Sequence, residues 1–259
     1  MDVTLIAISI GNTRTRIAPF RGGELTDSRT VTNDDVAGLD DALRWAGEQL
    51  GDAAPDAPVI IASVAPKATE TVAARVEAVL SGKPRRVEQD LAIPIGRQLD
   101  REALVGEDRL LNAAAAYDTL KQACIIVDAG TAVTVDFVDG AGTFHGGAIA
   151  PGAQMMLDSL HNHTAQLPEV KLGKPDETIG HSTAEAMKVA VFYGLQGLVR
   201  ELVEHYAEVA GAFPTVVATG GDAALLFGEY ELVDRVIDDL TVRGIAAAYR
   251  SHLEAESEG

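Results

Sequence analysis

The chain has 259 residues, 47% of them hydrophobic and 23% charged, and its 21 basic against 39 acidic side chains give a formal charge of −18. That composition excludes a disordered or collagen-like chain; at about 150 residues per domain it allows one or two domains with sizeable buried cores. The acidic excess also argues against a surface that tracks nucleic-acid phosphates or anionic lipid, and it would repel a small anionic substrate unless local donors override the field.

In chain order, the opening MDVTLIAISIGNT starts with an acid and lacks the basic region and cleavage site of a secretory leader. Residues 3 to 8, VTLIAI, read as a strand that stops at a Gly turn and resumes around Thr15 to Phe20 as its hairpin partner. Gly22 and Gly23 make a further turn, and Asp40 to Leu50 reads as an amphipathic helix. VIIASVAP is the next strand, Ala68 to Leu80 the next helix, and an irregular stretch runs from Pro84 to near Gly106. Glu107 to Leu120 reads as a helix. The pattern then restarts: CIIVDAGTAVTVDFV is again strand, Gly turn and strand, which suggests two duplicated domains divided near residues 117 to 121, or 1–118 and 119–259. Helices at Ala153 to His161 and Thr183 to Ala210 follow, with Ser182 and Glu185 spaced as a capping box. A strand at Thr215 to Ala218 ends in TGGDA, a short helix opens behind it, and the final EAESEG reads as a solvated tail. Alternating strands and helices imply an α/β architecture.

No apolar stretch approaches the roughly 18 residues of a membrane span. Cys124, the single cysteine, lies in an apolar strand and reads as a buried inert thiol, with no intrachain disulfide possible and no Cys cluster to hold a structural zinc. His161 and His163 lack a third ligand and read as solvent-facing; Asp136 and Asp139 read as solvated groups flanking a turn; Phe192 and Tyr193 read as core or interface residues. A cytoplasmic enzyme or binding protein is expected.

A Gly turn at the end of a strand lets backbone N–H groups converge on an oxygen cluster, which is how neutral backbone holds phosphate, and neighbouring Thr hydroxyls add donors. Three such turns, at Gly11 to Thr13, Gly130 to Thr131 and Gly220 to Gly221, each terminate an apolar strand and point to a nucleotide. The ordered set GNTRTR at 11 to 16, GEDRLLNAAAAY at 106 to 117, DAGTAVTVD at 128 to 136, GGAIAPG at 146 to 152, TAQLP at 164 to 168 and TGGDA at 219 to 223 resembles the type III pantothenate kinase family. The motifs stand in the family's order and span residues 9 to 223.

The resemblance implies duplicated actin-like ATPase (ribonuclease H-like) domains with an interdomain nucleotide cleft, a homodimer, and ATP-dependent phosphorylation of pantothenate to 4′-phosphopantothenate, the entry to coenzyme A synthesis. It implies Ser9, Gly11, Asn12, Thr13 and Arg16 at a first ATP-binding loop, Gly130 and Thr131 at a second, and Gly220 and Gly221 near adenosine. Gly106, Glu107, Asp108 and Arg109 correspond to the pantothenate-binding loop, with Asp108 as proton acceptor, and Thr183 to a further substrate contact. Asp128 corresponds to the residue that binds a monovalent cation, K+ or NH4+, and Mg2+ accompanies ATP.

The residue chemistry agrees: phosphoryl transfer to an alcohol needs positioned phosphates, a bridging metal and an acceptor for the hydroxyl proton, and the Arg109 fork suits the substrate carboxylate. The chain departs from the family pattern at three places. Ser9 stands where the first phosphate motif has Asp, Arg16 where it has Lys, and Leu99 where an aromatic residue precedes the pantothenate loop. Two alternatives remain open on sequence alone: a noncatalytic ligand-binding or regulatory relative, and a kinase of the same superfamily acting on another small alcohol or sugar.

Overall fold

A computed structural model of the chain describes residues 2–100 and 102–258. Two compact units emerge: one takes in residues up to Gly96, Asp100–Asp118 and Asp239 onward, the other Arg97–Leu99 and Thr119–Asp238.

In the first unit, β1 (Leu5–Ile10) and β2 (Arg14–Arg21) form the expected antiparallel hairpin, with Ser9 opposite Arg16 and Ile10 opposite Thr15. The alternation of Ile6, Ile8 and Ile10 puts all three on one face, where they pack on α1 (Val36–Leu50) through Leu39 and Leu43 and on α2 (Pro66–Leu80) through Val72 and Val76. Helix α1 begins four residues before the sequence expectation of Asp40, because the Asp35 side chain accepts from Gly38 N and satisfies an otherwise orphan donor. Helix α2 opens on Pro66, whose missing N–H costs nothing at a first helical position. Strand β5 (Val59–Ser63) pairs in parallel with β1. With β3 (Glu24–Leu25), β4 (Arg29–Thr32) and β6 (Arg85–Arg86) the strand order is β3-β2-β1-β5-β6, and β4 also pairs with β2.

The second sheet runs β12-β11-β8-β9-β10-β7, from β7 (Gly96–Arg97), β8 (Cys124–Ala129), β9 (Ala132–Val138), β10 (Thr143–Pro151), β11 (Thr215–Thr219) and β12 (Arg235–Val236). Read outward from the hairpin, β10-β9-β8-β11-β12 repeats β3-β2-β1-β5-β6: an antiparallel hairpin whose first strand takes a parallel neighbour, as β8 takes β11. The duplication expected from two short turns is thus present strand by strand. Helix α5 (Thr183–Ala210) lays Val191, Leu195, Val199 and Val203, one turn apart, on Ile125, Val127, Val133 and Val135. Its Ser182 cap accepts from Glu185 N at 3.2 Å, while the Glu185 carboxylate engages Lys188 Nζ at 2.8 Å. Helices α3 (Glu107–Leu120), α4 (Ala153–Asn162) and α6 (Ala223–Phe227) fall at or within a residue of expectation.

Two readings are corrected. Asp136, expected to be solvated, is 1% exposed, because β9 is an interior strand flanked by Ile126 of β8 and Gly147 of β10. The expected C-terminal tail is the end of a helix, α7 (Leu240–Glu258): Glu254 to Ser257 are exposed as expected, but they continue a helix anchored by buried Leu240, Val242, Ile245 and Ala248. Residues Asp239 onward therefore belong to the first unit, where a single division at 118/119 would have put them in the second.

Candidate active site

In the first unit, Gly11 N donates to Arg14 O at 2.9 Å and closes the β1–β2 turn. Asn12 and Thr13 are exposed on it. Arg16 and Ser9 lie side by side behind the turn. The guanidinium is engaged: Nε donates to Thr30 Oγ1 at 3.1 Å and Nη1 meets Asp239 Oδ1 at 2.5 Å, while Ser28 Oγ donates to Asp239 Oδ2 at 3.1 Å. Asp239 directly precedes α7 and holds a left-handed backbone, φ 64°. No local pattern could have paired it with Arg16, more than 200 positions away.

Gly106 precedes α3, and its carbonyl accepts from Leu110 N at 3.4 Å. Asp108, in the first turn and half-buried, accepts from Arg109 N through Oδ1 at 2.8 Å. A Cβ at position 106 would stand 2.5 Å from that same Oδ1, so glycine leaves the carboxylate its place. Glu107 turns away from its neighbour: Oε2 accepts from Ser63 N at the end of β5, at 3.0 Å. Together Glu107, Ser63, Val64, Thr69 and Arg86 line a cavity of about 250 Å³ at the carboxyl ends of β5 and β6. Ligands of open α/β sheets settle at such ends.

Burial pushes the Glu107 carboxyl above its ordinary range, with the Glu88 and Asp108 charges adding to the push and the Ser63 N–H opposing it. A folded pKa raised above the unfolded value gives a stability contribution that is complete below about pH 4.5 and is lost as pH rises through the folded pKa. Glu107→Gln, which keeps an acceptor for Ser63, is therefore expected to gain melting temperature on the native protein as pH rises from 4 to 7. Equal pH profiles in thermal melts of the two proteins would contradict this.

In the second unit, the corresponding turn is closed by Gly130 N donating to Ala132 O at 3.0 Å, and Gly152 N donates to Thr131 O at 3.1 Å. The TGGDA segment packs directly on it, with Asp222 N donating to Ala129 O at 2.9 Å. Gly220, at φ +99°, is so close that a Cβ would lie 2.3 Å from Ala129 O and 2.5 Å from Asp128 Oδ1. Asp128, Gly130, Thr131 and Gly220 are thereby gathered in one place. Thr183 is exposed at the first position of α5. Leu99 runs along β10, where a Cβ on Gly146 would touch its Cδ2 at 3.5 Å and Gln98 N donates to Phe144 O at 2.9 Å.

Among the described residues no group of three His, Cys, Asp or Glu is placed to hold a metal ion. The donors that do converge beside Gly220, the Asp128 carboxylate and the Ala129 carbonyl, are hard oxygens suited to an alkali or alkaline-earth cation. Cys124 is buried, which pushes its thiol up to about 12 and leaves it unreactive. His161 is exposed and its Nδ1 lies 2.8 Å from Leu167 O, a local contact only.

The repeated α/β topology, with a Gly turn at the head of each hairpin, is the fold of actin-like ATPases and sugar kinases. Solved structures agree: the activator of 2-hydroxyisocaproyl-CoA dehydratase from Clostridium difficile, with bound ADPNP, superposes with a TM-score of 0.54 at 14% identity over 99% of this chain and 98% of that chain. Component A of (R)-2-hydroxyglutaryl-CoA dehydratase from Acidaminococcus fermentans gives 0.55 at 14% identity over 95% and 96%. Within that fold, the family model described as type III pantothenate kinase matches residues 5–205. The type III pantothenate kinase of Rhodospirillum rubrum is 38% identical over 254 residues, 95% of this chain and 98% of that protein. That of Syntrophotalea carbinolica is 34% identical over 254 residues, with 95% and 98% covered. The chain belongs to the type III pantothenate kinase family, enzymes that use ATP to phosphorylate pantothenate in coenzyme A biosynthesis.

Proposed function

We propose that Asp108 is the general base of this reaction and that the GEDR segment is its substrate loop. The observation that carries this is the placement of the Asp108 carboxylate in the first turn of α3, behind a glycine whose missing Cβ leaves it room. Asp108 takes the proton of the pantothenate primary hydroxyl as that oxygen bonds to the γ-phosphorus of ATP; the bond to the β-phosphate oxygen breaks and ADP leaves. Arg109 meets the pantothenate carboxylate with its planar fork, and Thr183 makes a further substrate contact. Glu107 supports the loop through Ser63.

For ATP, the Asn12 and Thr13 amides and the Thr13 hydroxyl hold phosphate oxygen on the turn that Gly11 closes, as do the Thr131 amide and hydroxyl on the turn that Gly130 closes, and Gly220 with Gly221 lies by the adenosine. Magnesium arriving with ATP would supply charge neutralisation for the phosphates. Ser9 offers a hydroxyl where the family motif has a carboxylate, so this chain would hold that ion less tightly at this position. Asp128, with the Ala129 carbonyl, would hold a K+ or NH4+ ion.

The enzyme works in the cytoplasm as a homodimer. Ile149, Met155, Ile179 and Tyr193 of the second unit are exposed apolar side chains that a second copy would cover. Among the described residues no helix is long and apolar enough to cross a membrane.

The test is a coupled ADP-release assay with and without pantothenate, over a range of magnesium and with K+ replaced by Na+, alongside sedimentation equilibrium. Pantothenate-dependent turnover that falls without K+, from a species of twice the chain mass, is expected. Turnover indifferent to K+ would remove the cation from Asp128, and a monomer mass would remove the dimer.

A further inference from the structure

We infer that Asn33 is the positioning residue of the first phosphate loop. It follows β4 directly and is half-buried behind the Gly11–Thr13 turn. Its backbone N–H donates to Thr13 O at 3.1 Å, its Nδ2 donates to Gly11 O at 2.9 Å, and its Oδ1 accepts from Thr15 Oγ1 at 2.9 Å. One residue thus holds the carbonyls of both ends of the turn and the first buried side chain beyond it, Thr15.

The consequence follows from peptide geometry. The Gly11–Asn12 peptide is planar and trans, so its C=O and N–H point in opposite directions. With the Gly11 carbonyl fixed on Asn33 Nδ2, the Asn12 N–H is directed to the opposite side, away from Asn33. A preoriented N–H of that kind serves an incoming phosphate without the cost of ordering the loop on binding. An amide side chain suits the post: it donates to Gly11 O through one atom and accepts from Thr15 Oγ1 through another, without charge. A carboxylate of the same shape would set an oxygen against Gly11 O and add a negative charge beside the phosphates.

The inference rests on the reading that Gly11–Thr13 holds ATP phosphate, and the test separates the two. Kinetics with ATP and pantothenate varied in turn are measured for Asn33→Ala, Thr15→Val, the double variant and a loop control, Thr13→Val. Asn33→Ala is expected to raise KM for ATP about tenfold while KM for pantothenate stays within about twofold, because one preorganised donor is lost. Thr15→Val should raise it less, and the double variant should match Asn33→Ala, since both remove the same brace. Hydrogen exchange at the Asn12 amide should quicken in Asn33→Ala, a readout independent of turnover. The inference is overturned if the two KM values shift alike, if the single effects add, or if the amide exchange is unchanged. If Thr13→Val and Asn33→Ala both leave KM for ATP unmoved while the enzyme turns over, the loop does not hold phosphate, and the reading falls with the inference.

Discussion

Asp108→Asn is expected to lower kcat by roughly 10²- to 10⁴-fold, the range for loss of a general base, with the melting temperature nearly unchanged. The substitution is a clean one here. Asn keeps the Oδ1 that accepts from Arg109 N, so the first turn of α3 retains its local hydrogen bond. It keeps the volume that Gly106 accommodates. What it lacks is the capacity to take the hydroxyl proton, so the loss should fall on kcat and on kcat/KM equally, leaving KM for ATP near its native value. Steady-state ADP release and a thermal melt check both halves. A kcat within tenfold of native would remove Asp108 from the base role and leave it a positioning group for pantothenate.

Gly220→Ala is expected to damage both fold and turnover. At φ +99° a side chain is strained whatever the space, and here the Cβ would have to lie 2.3 Å from the Ala129 carbonyl. Backbone strain of about 1–3 kcal/mol adds to overpacking of about 1–3 kcal/mol. For a chain of this size each kcal/mol moves the melting temperature by about 2–4 °C, so a drop of at least several degrees should appear in calorimetry. Relief can come only by pushing the DAGT turn away, and that turn carries Asp128, Gly130 and Thr131; KM for ATP should therefore rise further than the stability loss alone explains. The neighbouring Gly221 has open space around the same Cβ position, and Gly221→Ala should leave the melting temperature within about 1 °C. Equal melting temperatures for the two variants would refute the packing account.

The sequence carried those parts of the fold whose cause is local. The Gly turns after β1 and β8, the Ser182 cap of α5 and the apolar spacing of α3 all lie within a few residues of what they determine. The motifs that carry the family were legible for the same reason. What escaped depends on pairing at a distance. Asn33 has no distinguishing neighbours, and its importance comes from the register that lays the end of β4 against the Gly11–Thr13 turn. Asp136 looked like a turn residue because nothing before it announces β10, the strand that buries it. Asp239 gives no hint of a guanidinium that is remote in sequence and adjacent in space. Helix α1 shows a milder version: Asp35 is a good cap, but Val36, Ala37 and Gly38 carry no apolar spacing to reveal the turn it opens.

The return of α7 to the first unit bears on how the chain is made. The second unit is almost continuous in sequence, Thr119–Asp238, whereas the first takes its last helix from residues that follow it. Domains fold as units during synthesis, ordinarily with the N-terminal one first. Here the first unit cannot be completed before the second has been made, because α7, which packs against β1, follows the second unit in the chain. Until residues 240 to 258 emerge, the sheet that carries the Gly11–Thr13 turn is complete but lacks the helix that packs on it, so a polypeptide released early carries the second unit whole and the first without that helix.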